Sequence, residues 1–301
     1  MNQRFFAIVA AATIPLTSSS RCAEEDVTTT SLAEPSWQVA MRSSYTAAST
    51  AKFDGVKSAG DSDAYAFDLS IGHKFKLNSS WSLLVDLGSQ NIYLDSIPAA
   101  RVPDEIHTFR ITTGVEFKVS EKLTITGLFS PSLYRFEDVT GNDIGFSGGL
   151  MMAYRYRPTL SWSLGVFVSP NSSLSPVLPA GGLDWKINRK FELQLMFPKP
   201  RLLYQITSNW SVFAGGDLTG TAFRTQNDFG TKIGFPKYND ALADYRDIRV
   251  GAGTGFQINR GIRLEVEGGY SVDRQLNYID IDKKVKFDPS PYVGASLKVF
   301  F

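Results

Sequence analysis

The sequence has 301 residues, 31 Lys and Arg against 30 Asp and Glu, a net charge of +1 and a single cysteine. So balanced a chain carries neither a basic footprint for nucleic acid nor an acidic tail, and one cysteine makes no internal disulfide. Aromatic residues reach 13% and charged residues only 20%, slightly below the usual quarter.

The N-terminus reads as an export signal. Arg4 precedes an apolar run from Phe5 to Leu16, and small residues follow at Thr17, Ser18, Ser19 and Ser20. That order of charge, apolar stretch and small residues is that of a secretory signal peptide, assigned here to 1–23. The run is too short for a membrane-spanning helix, which needs about 20 apolar residues. Cys22 stands behind Arg21, where a lipid-anchored protein needs a small residue. Residues 24–35 form a polar periplasmic leader, long enough to occupy a lumen as a plug.

From residue 36 onward, alternation hardly stops. "YAFDLSIGHKFKL" sets Tyr65, Phe67, Leu69, Ile71, His73, Phe75 and Leu77 against Asp68, Ser70, Gly72, Lys74 and Lys76. "HTFRITTGVEFKV" opposes Phe109, Ile111, Val115 and Phe117 to Arg110, Thr112, Gly114 and Glu116. Such runs exceed the globular mode of about 5–6 residues and suit tilted strands crossing a bilayer, which need about 9–11. The pattern predicts strands over 36–50, 64–77, 81–94, 105–119, 123–134, 144–156, 160–169, 177–187, 191–197, 201–207, 210–217, 245–258, 262–273 and 291–301. Fourteen is an even number, as single-chain bacterial barrels require. The prolines of "FPKPRLLYQITSNW" separate the ninth strand from the tenth by a short outer turn at Pro198-Lys199-Pro200, since two prolines inside one strand would remove ladder donors.

Tight links, such as Asn78-Ser79-Ser80 and Ser120-Glu121-Lys122, alternate with long polar ones at 51–62, 95–104, 135–143, 170–176, 218–244 and 274–290. Short periplasmic turns and longer external loops mark an outer-membrane barrel. Trp81, Trp162, Trp185 and Trp210 fall near tight turns and Trp37 opens the first strand, which starts on the same side; together they predict an aromatic girdle at one interface. The chain closes on "YVGASLKVFF", an alternating strand ending at Phe301. That strand is expected to pair with the first and remove both open edges, with Phe301 joining the girdle. An apolar strand with a terminal aromatic resembles the signal read by bacterial barrel-assembly machinery, which makes that machinery an expected partner. The fold expected is all-β: a single transmembrane antiparallel β-barrel over 36–301.

At "MFPKPRLLYQITSNWSVFAGGDL" and "DYRDIRVGAGTGFQINRGIRLEVEGGY" the chain resembles an uncharacterised family of predicted bacterial outer-membrane β-barrels, of the domain of unknown function 6268 type. The likeness is clearest over the second half. It implies fold and a place in the bacterial outer membrane, and carries no catalytic residues.

Chemistry is sparsely signalled. His73 lies on the apolar face near a rim and His107 near the opposite one, with no metal-ligand spacing between them. The alternating glycines of "GAGTGF" lie on one strand face, favouring close interior packing over a phosphate cradle, which needs a following helix. No catalytic residue, cofactor or metal site is assigned. The interior row includes Asp68, Lys74, Arg110, Glu116, Arg155, Asp184, Arg249, Arg263 and Glu265, with both signs present. Charge reversal at Arg110 or Arg249 is therefore expected to alter conductance if these residues line a pore. A network that merely braces the wall is the competing reading. The function expected is a passive pore or small-solute transporter with a polar lumen, in contact with the lipid bilayer and a small solute but not with nucleic acid. A closed structural or surface-binding barrel, or an outer-membrane hydrolase, are the alternatives.

Overall fold

The computed structural model describes residues 37–135, 139–171 and 176–301. The expectations for the signal peptide, the leader and the lumen plug fall outside them. Fifteen strands form one antiparallel sheet: β1 (Trp37–Phe53), β2 (Asp61–Lys76), β3 (Trp81–Leu94), β4 (Glu105–Lys118), β5 (Leu123–Leu133), β6 (Ile144–Arg157), β7 (Leu160–Val168), β8 (Val177–Lys186), β9 (Phe191–Gln194), β10 (Arg201–Gln205), β11 (Trp210–Arg224), β12 (Leu242–Asn259), β13 (Ile262–Tyr278), β14 (Lys283–Phe287) and β15 (Ser290–Phe300). Both β14 and β15 pair with β13 on one side and β1 on the other. They are two lengths of one stave, so the wall has fourteen staves.

The last stave closes the barrel as its alternation predicts. Gln38 to Thr46 run opposite Phe300 to Tyr292. At the rim the Trp37 amide donates to the Phe301 carbonyl at 2.9 Å, and the Phe301 amide returns the bond at 3.1 Å. Every lateral edge of that stave is paired, which removes the open ladder a terminal strand would otherwise present.

Side chains alternate across the wall with the strand period of two. Met41, Ile71, Leu87, Val115, Phe129, Leu150 and Leu164 point outward and are exposed. Their neighbours point in. Asn78 and Asn188 tighten two of the turns, each side-chain oxygen accepting backbone amides two and three residues on, the Asx geometry that suits Asn to turns.

Two of the expected long links are shorter than the sequence suggests. Arg274 to Tyr278 continue β13 and pair with β14, leaving 279–282 as the connection. Leu218 to Arg224 continue β11 and pair with β12, so that link shrinks to 225–241, with one helical turn at α1 (Phe229–Lys232) and a 3-10 turn at Pro236–Tyr238. Leu242 onward is strand. At the long-loop end β1–β4 and β11–β14 enclose a dry core in which Phe53, Ile92, Phe223, Tyr238, Leu276 and Val285 are all 5% exposed or less. The 225–241 segment caps that core through Phe229 and Tyr238.

Candidate functional site

Opposite staves touch at the long-loop end. Thr108 on β4 donates to the Ala222 carbonyl on β11 at 3.2 Å, and Thr221 donates to the Thr108 hydroxyl at 3.0 Å. These two staves stand seven apart in the closed order, so the contact crosses the full diameter and divides the interior into two halves.

The half bounded by β11–β15 and β1–β4 is filled and charged. Arg42 on β1 reaches Asp217 on β11 and, at 3.0 Å, Glu267 on β13. Lys199 meets the other oxygen of Glu267 at 2.9 Å, and Glu265 receives Arg263 at 2.9 Å and Arg201 at 3.3 Å. Higher up, Arg249 is 1% exposed. It donates to Asp247 at 2.7 Å, Ser44 at 2.9 Å and Thr46 at 3.2 Å, and lies 4.9 Å from the Tyr292 ring centre. Buried charge survives only when paired and hydrogen-bonded in this way. Glycine makes room for the packing: a Cβ on Gly253 would lie 2.4 Å from the Val266 carbonyl and 2.5 Å from the Phe213 ring.

The half lined by β5–β8 differs in chemistry. Its inward positions are Thr126, Leu128 and Ser130 on β5, Ser147, Gly149 and Met151 on β6, Ser163, Gly165 and Phe167 on β7, and Leu178, Ala180 and Gly182 on β8. Charge returns only toward the tight-turn rim, at Arg155, Asp184 and Lys186. Phe197, from the turn between β9 and β10, packs against Phe167 and Leu178, and Met196 approaches Ser163 and Gly182.

The residues of the expected interior row meet different surroundings. Lys74 and Glu116 pair at 2.6 Å. Arg110 occupies space that a side chain at position 88 would take, a Cβ on Gly88 falling 2.9 Å from its Nε. Asp68 sits opposite Arg42 in the ladder, Arg155 is exposed at the rim, Asp184 is half-buried, and Arg263 is paired with Glu265. Arg249 is sealed within the wall network. Arg42, Asp217, Lys199 and Arg201 complete the charged cluster without having been singled out in the sequence. Arg42 and Asp217 do fall on polar rows of their strands, but their pairing spans 175 residues, beyond any local pattern.

All five tryptophans lie at the tight-turn end: Trp37 against His73 (ring centres 4.4 Å apart), Trp81 stacked on Phe117 (4.4 Å), Trp162 by Tyr154, Trp210 stacked on Phe256, and Trp185 opposite Leu193. His107 faces outward at the other end, 2.7 Å from Asn91 and 3.1 Å from Glu105. Above the neutral half, loops clasp one another. Arg135 holds Asp143 at 2.9 Å and Asp240 at 3.2 Å, and Arg224 donates to the Asn142 carbonyl at 2.7 Å. Burial works to raise the Asp143 carboxyl, but bonds from Thr140 and the Arg135 charge prevail and hold it below its ordinary value.

Residues 91–300 match the family described as "Domain of unknown function (DUF6268)". The chain belongs to this family. No curated protein matches it. Among solved structures the DUF6268 chain is similar to an outer membrane channel from Pseudomonas putida F1, with 12% identity over 92% of this chain and 100% of that one, TM-score 0.46. It is also similar to a mutant of the TodX monoaromatic hydrocarbon channel (9% identity, 89% and 91% covered, TM-score 0.45) and to a Pseudomonas aeruginosa FadL homologue (10%, 88% and 90%, 0.41). At such distances only the barrel is shared. Among the described residues of this DUF6268 member, no cluster of His, Cys, Asp and Glu is arranged to hold a metal ion.

Proposed function

We propose that this protein is a passive conduit for small uncharged solutes in the bacterial outer membrane. The observation that carries the reading is the division of the lumen. One half is closed by ion pairs and a dry core, while the other presents hydroxyls, glycines and apolar side chains from Thr126 on β5 to Gly182 on β8. A path whose stretch above the tight-turn rim lacks charge costs an ion its hydration there and costs a neutral solute little.

The wall supports a place in lipid. Outward residues right round the barrel are apolar and exposed, Leu150 at 56% and Leu164 at 57% among them, far more apolar surface than a soluble monomer leaves uncovered. Closed strands are the one alternative to helices for spanning a bilayer. The tryptophan ring with Phe301 would then mark the periplasmic interface, and the apolar closing strand would be what the assembly machinery engages.

The test is solute flux into liposomes carrying refolded protein, beside planar-bilayer conductance of the same preparation. Neutral solutes of low molecular weight are expected to enter faster than charged ones of similar size, with small single-channel conductance. Ions passing as freely as neutral solutes would overturn the reading. Absence of any flux through folded, inserted protein would instead support the closed structural barrel.

A further inference from the structure

We propose that the conduit opens sideways, into the outer leaflet between β8 and β11, and that the turn carrying Phe197 is its stopper. The inference rests on the conduit reading above. β9 and β10 have only 4 and 5 residues, against 10 in β8 and 15 in β11. β9 pairs with β8 at Asp184 to Lys186, and one further bond joins Leu195 to the Leu183 carbonyl. β10 pairs with β11 up to Gly215, and the Gly216 and Leu218 amides donate to the carbonyls of Pro200 and Pro198. Above that level, no strand among the described residues lies between 178–182 of β8 and 219–224 of β11.

The height of this gap places it in lipid. Residues 178–182 stand three to seven positions above Trp185, within the roughly 9–11 residues a tilted strand needs to cross. Unpaired backbone at membrane depth is tolerated only where protein covers it or where it lines a cavity. The edge itself is adapted to lack a partner. Since the Leu183 carbonyl faces β9 and the Lys186 amide faces β7, alternation aims the backbone of Gly181 and Pro179 at the gap. Pro179 has no amide hydrogen to leave unsatisfied.

The stopper fits the opening. Phe197 packs on Phe167 and Leu178 inside the neutral half, and Leu218, on the gap side of β11, is 5% exposed. Two residues on, Lys199 is tied across the lumen to Glu267 at 2.9 Å, so an ion pair adds to the backbone bonds from Gly216 and Leu218 in holding the turn inward. Releasing the ion pair would loosen the turn on its two backbone bonds to β11, letting Phe197 leave its seat and join the neutral lane to the acyl chains. The matching ligand class is small, neutral and apolar, soluble in lipid yet able to travel past hydroxyls.

The experiment uses the full chain in a Cys22→Ser background, with a small fluorophore on Ala180→Cys, in liposomes of brominated phosphatidylcholine. Leu164→Cys, outward on β7, gives the quenching of full lipid contact; Thr126→Cys, inward on β5, gives that of none. Quenching at 180 several-fold above that at 126, rising further when Lys199→Ala is added, is the expected result. Quenching at 180 equal to that at 126, with and without Lys199→Ala, overturns the lateral port. If neutral-solute flux persists in that case, the conduit reading stands without it. Quenching at 180 with no solute flux overturns the conduit reading and the port's role with it. A quenching signal that Lys199→Ala leaves unchanged overturns the latch.

Discussion

Arg249 offers the sharpest test of how the charged half is built. Arg249→Leu removes a guanidinium bonded to Asp247, Ser44 and Thr46. Asp247, at 0% exposure, keeps the Ser271 hydroxyl at 2.6 Å as its side-chain partner among the described residues. Breaking a buried pair from one side costs about 3–5 kcal/mol, because the surviving charge stays desolvated. Against a total stability of about 5–15 kcal/mol the loss is large. It is read as a lowered urea midpoint at unchanged slope, followed by tryptophan fluorescence in detergent or liposomes. Removing both charges in Arg249→Leu/Asp247→Leu is expected to recover most of the loss, since a buried pair replaced by apolar residues is often neutral. A single variant within about 1 kcal/mol of wild type, where exposed pairs fall, would refute the reasoning. The residue thus acts through stability, and any conductance change on its charge reversal follows from a damaged wall.

Two further outcomes follow from packing and charge. Gly253→Val drives a branched side chain against the Val266 carbonyl and the Phe213 ring. Overpacking costs about 1–3 kcal/mol, read from the same titration, and Phe213→Ala in the same chain should recover part of it. At the loop clasp, a carboxyl whose folded pKa is depressed adds stability that is fully present above its unfolded pKa, about 3.9 for Asp. That stability is lost as pH falls through the lower folded value. Protection of the amides around Asp143, taken as exchange relative to the unfolded-chain rate at each pH, should therefore be flat down to about pH 4 and fall below it, and Arg135→Ala should shrink that fall.

The barrel was legible because the wall obeys one local rule. Alternation from Tyr65 to Leu77 or from Val293 to Phe301 needs no knowledge of distant residues, and it yields stave count, faces and seam together. The rule fails where strands leave the region of clean alternation. Arg274, Gln275 and Asn277 read as a polar loop, yet they are buried strand at the long-loop end: Arg274 donates to Ser49 at 2.9 Å beneath the Phe287 ring, its guanidinium carbon 4.3 Å from the ring centre. Ordinary polar composition hides strands whose partners also are polar. Lumen chemistry was half legible. Facing direction follows from parity, but whether Arg249 meets water or Ser44 depends on residues 203–205 positions away. The prolines at 198 and 200 announced a turn; its height, set by where β8 and β11 continue past it, is a property of the neighbours.

The contact between Thr108 and β11 has a mechanical consequence. A wall backed by interlocked ion pairs resists bending, whereas the arc from β5 to β8 encloses hydroxyls, glycines and apolar side chains and is held at its top chiefly by loop contacts such as Arg135 with Asp143 and Asp240. Packed interiors deform little under load. Bilayer tension should therefore fall unevenly on the perimeter, stretching the compliant arc while the filled half acts as its anchor. If the protein conducts as proposed, the cross-section of the neutral lane becomes a function of the membrane's own state, and solute flux should vary with lipid thickness even when the solute does not change.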